Sequence, residues 1–184
     1  QLDVFDKKSS EEKTNKDKDL SNQIRLIKSE LKTLKVTLNY QEDLAPRDNL
    51  KNLIKQLDQE KVRVIVNDKN KNKIKDIKVG NFILRKQILT DLPSKELRNI
   101  VDQGKKEIKI GVIIACCILD DKIGVAVGVT DKLIERFDAI KLVKEAAEIL
   151  GGKGGGGRKD FAQAGGVNKD KIEEVFRNLS KNIN

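Results

Sequence analysis

Histidine is absent from this chain of 184 residues, and the absence removes much familiar catalytic chemistry. Ser–His and Cys–His nucleophilic pairs, HExxH zinc motifs and imidazole general acid–base catalysis are all excluded. Tryptophan is missing too, with only five Phe and one Tyr. The core must therefore be aliphatic, and a reader that stacks single-stranded bases on aromatic rings is disfavoured. No apolar run is long enough for a bilayer: Ile110–Leu119 (IGVIIACCIL) is about half of what a spanning helix needs, so no membrane partner is expected. The two cysteines, Cys116 and Cys117, are neighbours inside that run. On a strand they point to opposite faces, and they read as small reduced core residues of a cytosolic protein. No third cysteine exists to help hold a metal. Asp and Glu are scattered through charged segments, without an isolated acidic pair in an apolar setting, so catalysis by this chain itself is not expected. The chain opens on Gln1 with no signal-peptide pattern behind it, and is expected to be a piece of a longer, cytoplasmic protein.

What the chain has in excess is positive charge, unevenly spread. Residues 1–60 balance 12 cations against 12 anions, whereas residues 61–109 hold 14 against 6, most of the net +9. Such an excess attracts polyanions at long range and weakens with salt. With so few aromatics, a structured RNA held by backbone and shape is the better fit.

Residues 1–16 (QLDVFDKKSSEEKTNK) lack apolar period and are expected to be a linker or disordered end. Leu20, Ile24, Ile27, Leu31, Leu34 and Leu38 then recur every three or four residues, a seam predicting a helix of about 22 residues. Pro46 ends that stretch, and Asp48 or Asn49 is the expected cap of a second helix carrying Leu50, Leu53, Ile54, Leu57 and Val64. The two make an antiparallel pair over residues 17–79, whose seam can be buried within the chain or shared with another copy. From Gly80 to the end a globular α+β domain is expected, a mostly antiparallel sheet covered by helices. Its strands are Phe82–Leu89, Ile108–Leu119 and Ile123–Val129, the last two joined by a tight turn at Asp120–Asp121. Its helices are Asp91–Lys105, Asp131–Leu150 with a break near Asp138, and Asn168–Leu179.

Between the last two helices lies Gly151–Gly157, six glycines and Lys153, closed by Arg158, Lys159 and Asp160. A flexible linker would mix Gly with Ser, and none is here. Side-chain-free backbone can instead bring N–H groups close to a phosphate, with Lys153 and Arg158 adding charge. Neither a P-loop nor a dinucleotide fingerprint is present, because no Gly-Lys-Ser/Thr and no GxGxxG after a first strand occurs.

The full stretch GGKGGGGRKDFAQAGG (Gly151–Gly166), with LRNIVDQGKKEI (Leu97–Ile108) and VAVGVTDKL (Val125–Leu133) upstream, resembles the DHHA1-like C-terminal domain of alanyl-tRNA synthetases. Lys159 stands where that family usually has Pro, and Phe161 where Met or Leu is common. The resemblance implies a module that binds the outer corner of tRNA, brings the aminoacylation and editing domains onto one tRNA, and contributes to dimerisation. It implies tRNA contacts at Lys153, Gly154, Gly155, Gly156, Gly157, Arg158, Lys159 and Gln163, and the Leu20–Leu38 seam as the dimer surface. No cofactor is implied for this piece; ATP, Mg and Zn belong to the parent ligase. Two other readings are a purely structural dimerisation module and the related domain of DHH-type phosphoesterases. The glycine-rich stretch of the latter ends in the histidine this chain lacks.

Overall fold

The computed structural model describes residues 2–183, with side chains from residue 15 onward. The chain divides into two compact units, residues 1–63 and 64–184. Helix α1 spans Leu2–Thr33 and lies in the first; α2 spans Pro46–Asn67, and its last turn, from Val64, falls in the second. The pair is antiparallel: Glu30 meets Lys61 at 2.7 Å, Gln56 donates to the Thr37 carbonyl and accepts from Asn39 N–H, and Asn49 reaches Gln41. The seam is buried inside the chain. Ile24 and Leu31 pack with Leu53 and Leu57, and Leu20, Ile27, Leu34, Leu38 and Leu50 border that cluster.

Three expectations for this unit change. Residues 2–16 are helical, continuous with α1, where a linker was expected. At the other end α1 stops at Thr33, with Lys35 at φ 56°, so Leu34 and Leu38 continue the seam as loop residues folded back on the same core. Third, α2 begins at Pro46, whose missing N–H costs nothing in the first turn. Neither Asp48 nor Asn49 is its cap. Asn49 is buried instead, its amide donating to the Gln41 and Leu44 carbonyls while its oxygen accepts from Gln41 N–H. A buried amide with its bonds made pins the loop between the helices.

The second unit is one six-stranded sheet, in the order β1-β2-β3-β4-β6-β5. Its strands are β1 (Asn72–Val79), β2 (Phe82–Thr90), β3 (Gly111–Leu119), β4 (Lys122–Val129), β5 (Gly155–Arg158) and β6 (Phe161–Gly166). All neighbours are antiparallel except β2 and β3, which run parallel because α3 (Leu97–Ile108) carries the chain across between them. Strand β1 was not expected and belongs with this unit, so the division falls at residue 63 rather than at 79. Ile108 ends α3 instead of opening β3, and Lys109 at φ 63° turns the chain into the strand. The turn at Asp120 (φ 53°) and the break at Asp138 lie where expected; Asp138 caps α4 (Ala139–Ile149) by accepting from Ile140 N–H at 2.9 Å.

One face of the sheet carries Leu84, Val112, Ile114, Cys116, Val125, Val127 and Ala162 into the main core beneath α4 and α5 (Ile172–Ile183). The other face is kept low by Gly124 and Gly128, over which Leu97 and Val101 of α3 pack. Each such fully buried aliphatic contributes about 1.5–3 kcal/mol. Arg85 lies at the edge of that layer, fork-bonded to Asp76 of β1 at 2.8 and 2.9 Å and bonded also to Glu107 of α3. This clasp ties the outermost strand to the helix. No helix among the described residues is long and apolar enough to cross a membrane.

The paired cysteines divide between the layers, Cys116 under α4 and α5 and Cys117 beside Gly124 on the α3 side, both buried and unbridged. Burial pushes the Cys117 thiol up to about 11 and Cys116 higher still. Native protein at pH 8 should therefore label with iodoacetamide at least about 100-fold more slowly than unfolded chain, whose thiols titrate near 8.5. Because the folded value is raised, the stability these thiols contribute is complete below about pH 8.5 and is lost as pH rises towards 11. Fast labelling of either cysteine at pH 8 in the native state would contradict this packing.

Candidate nucleic-acid interface

The glycine run is not a loop throughout. Gly151 (φ 73°) terminates α4 in the left-handed conformation that favours glycine. Gly152 crosses β6 so closely that a Cβ there would lie 1.9 Å from the Gly165 carbonyl oxygen. From Gly155 the chain becomes β5, the last strand of the sheet, paired with β6 by Gly155↔Ala164, Gly156↔Gln163, Gly157↔Ala162 and Arg158↔Phe161. The alternation of the pleat then sorts the glycines. Gly155 and Gly157 are crowded: a Cβ on either would come within 2.5 Å of a β6 backbone oxygen. Gly156 points the other way, with nothing within 4 Å of where its Cβ would stand, and Gly154 (φ 109°) is equally open. All four residues of β5 are exposed. An edge strand presents unpaired N–H and C=O groups, and here no side chain shields them.

Charge gathers at both ends of this strand. Lys153 precedes it and is exposed; Arg158 and Lys159 close it. Arg158 is held by Asp160 through bonds of 3.0 and 3.3 Å, and Lys105 of α3 approaches the same carboxylate at 3.5 Å. Partial burial tends to raise the Asp160 carboxyl, but the Arg158 bonds and the Lys105 charge outweigh it and hold it below the ordinary carboxylate value. Arg98 lies over the Phe161 ring, 5.0 Å from its centre. The structure thus brings Arg98 and Lys105, seven residues apart on one face of α3, to the hairpin. The sequence reading missed them, although a seven-residue repeat of cations on a helix is a signal for a shared face.

Of the eight residues expected to meet RNA, Lys153, Gly154, Gly155, Gly156, Gly157, Arg158 and Lys159 lie along this exposed strand and its two ends. Gln163 differs: its side-chain amide donates to the Ser94 carbonyl at 2.9 Å, joining β6 to the segment before α3. The cationic 61–109 stretch does not form one patch. Arg85 is neutralised by Asp76 and Glu107, Lys71 pairs with Asp91 at 2.7 Å, and Lys73 and Lys75 sit on the opposite face of β1 from Lys78. Among the described residues no group of three Cys, Asp or Glu is placed to hold a metal.

Comparison with known proteins agrees with this architecture. The model of the DHHA1 domain family matches residues 80–184. Alanine–tRNA ligase of Hyphomonas neptunium is 47% identical over 96 residues, covering 52% of this chain and 11% of that protein. The ligase of Bradyrhizobium diazoefficiens is 43% identical over 104 residues, covering 56% and 12%. The chain thus spans about a ninth of the length of these relatives. The crystal structure of the C-Ala domain from Aquifex aeolicus alanyl-tRNA synthetase superposes with a TM-score of 0.55 at 32% identity, covering 59% of this chain and 96% of that one. With more than half its length inside the family model and almost the whole of that solved domain accounted for, the chain belongs to the DHHA1 family, as a C-terminal domain of the alanyl-tRNA synthetase kind.

Proposed function

We propose that this chain is the tRNA-docking C-terminal domain of an alanine–tRNA ligase and performs no chemistry of its own. The parent would be a cytoplasmic ligase using ATP and Mg, with an editing domain and its Zn elsewhere in the longer chain. The observation that supports docking most directly is β5: an exposed edge strand of glycine, open at Gly154 and Gly156 and flanked by Lys153, Arg158 and Lys159. A surface without side chains lets a bulky, bent polyanion approach backbone N–H donors, and the flanking cations supply sequence-independent attraction. Discrimination among tRNAs should be weak, because backbone and shape carry little sequence information.

The test is salt-titrated binding of the chain to folded tRNA and to single-stranded RNA of equal length. Folded tRNA should be preferred, with affinity falling linearly on a log–log plot by the few phosphates contacted. Arg158→Glu should lower tRNA affinity about tenfold or more and reduce that slope by about one. Arg158→Gln should act in the same direction and more weakly. If both variants bind as the parent does, Arg158 serves only to hold Asp160.

A purely structural dimerisation role has less support. The apolar seam proposed for it is already occupied by α2 of the same chain, with Leu31 and Leu53 wholly buried.

A further inference from the structure

Helix α1 bears a second periodic pattern beside its apolar seam. Lys18, Ser21, Arg25, Lys28 and Lys32 recur at intervals of three and four residues, which places them along one face of the helix. That face spans about 21 Å from Lys18 to Lys32. Lys18, Ser21, Arg25 and Lys32 are exposed, and Lys28 is half-buried with its ammonium 3.2 Å from the centre of the exposed Tyr40 ring. Ser21, Arg25, Lys28, Ser29 and Lys32 line a shallow recess floored by Ile24.

On α2, Lys51, Lys61 and Arg63 each have a carboxylate partner, and Arg47 and Lys55 form no ion pair with a described residue. On α1, none of Lys18, Arg25, Lys28 and Lys32 forms an ion pair with a described residue. Of the acidic residues of α1 whose side chains are described, Asp19 accepts from Gln23, Glu30 binds Lys61, and Asp17 stands at the margin of the stripe. Four like charges on one helix face repel one another, at a cost that ordinary surface design avoids by interleaving Glu at the fourth position.

We propose that this stripe is a second docking face, for the sugar–phosphate backbone of a folded RNA. It rests on the reading of the chain as a tRNA-docking domain, and adds to the glycine edge strand a separate face on the helical unit. A nucleic-acid strand presents one phosphate for roughly each 3.4 Å of axial rise. Over the length of the stripe that is about six charges against four cations, with the hydroxyl of Ser29 as an additional donor. The repulsion among the cations is relieved when phosphates sit between them.

The test uses the whole chain carrying Lys18→Gln, Arg25→Gln and Lys32→Gln together, and a second variant with Glu at the same three positions. Binding to folded tRNA is measured between 50 and 200 mM salt, with helix content followed by circular dichroism. With helicity kept, the glutamine variant should lose about two from the log–log slope and at least tenfold in affinity at low salt; the glutamate variant should lose more. Parental affinity and slope in both variants would overturn the proposal and leave the stripe a solvated face. So would parental tRNA binding together with lost binding to polyglutamate, which would assign the stripe to an acidic protein. The two interfaces fail separately. Loss in the stripe variants with none in Gly156→Val supports the stripe and removes the glycine strand, and the reverse pattern removes only the stripe. A parent chain that ignores tRNA at 50 mM salt would sink both.

Discussion

Valine at Gly152 should cost the globular unit about 3 kcal/mol or more, while valine at Gly156 should leave its stability within about 0.5 kcal/mol and weaken its hold on tRNA. The two positions are four residues apart in one glycine run and would be indistinguishable as a flexible loop. In the structure a Cβ at 152 would stand 1.9 Å from the Gly165 carbonyl oxygen and 3.3 Å from that of Ala147. Neither backbone group can move without opening β6 or the last turn of α4. At Gly156 there is nothing within 4 Å, and the residue lies in an exposed strand, where a β-branched side chain is well tolerated. Thermal unfolding separates the two: a drop of roughly 10 °C is expected for Gly152→Val and almost none for Gly156→Val. The valine side chain at 156 would then stand between the strand and an approaching phosphate backbone, so tRNA affinity should fall about tenfold at an unchanged salt slope, no cation having been removed. If Gly156→Val binds tRNA as the parent does, the edge strand is not where RNA lands. Gly155→Val cannot serve this purpose, because its Cβ would already meet Gln163 O and Ala164 Cβ at 2.5 Å.

How far the fold could be read in advance followed from how much side-chain pattern each element carries. Strand β2, the β3–β4 hairpin, the helix break at Asp138 and helices α2, α4 and α5 have apolar period or turn chemistry of their own, and they were legible. β1 was not: as an edge strand it turns only Ile77 and Val79 to the core, and Lys73, Lys75 and Lys78 alternate with Asn72, Ile74 and Asp76 over the rest, the lysines also blunting the edge. β5 was not legible for the opposite reason, since glycine has no period at all. The strand exists because β6 provides a surface on which only hydrogen atoms fit at 155 and 157. The same motif GGKGGGGRKDFAQAGG therefore named the family correctly while hiding which glycines are packed and which are open. The α1 seam misled in a third way: Leu34 and Leu38 keep helical spacing after the helix has stopped, because the loop returns to the same core. Arg98 and Lys105 reach the hairpin only through packing of α3 across the sheet, so sequence distance concealed them.

Aspartate at Leu31 should dismantle the helical pair and leave the sheet standing. Leu31 is wholly buried against Leu53 and Leu57 in a cluster of four buried residues. Removing its side chain alone costs about 2–5 kcal/mol, and placing a carboxyl among leucines adds the cost of burying a polar group without a partner. So small a core has little reserve, so the loss should exceed what the pair can absorb. Because residues 1–63 and 64–184 form separate compact units, the damage should stay on one side of the division. Helix content should fall by circular dichroism, amides of α1 should exchange quickly, and Cys116 and Cys117 in the sheet should remain protected from iodoacetamide. Sedimentation then decides between the two roles of the seam. If Leu31→Asp turned a dimer into a monomer with helix content unchanged, the seam would be an interface between chains. If helix is lost without any change of mass, the seam is the core of one chain. The burial of Ile24 and Leu31 against α2 of the same chain favours the second outcome.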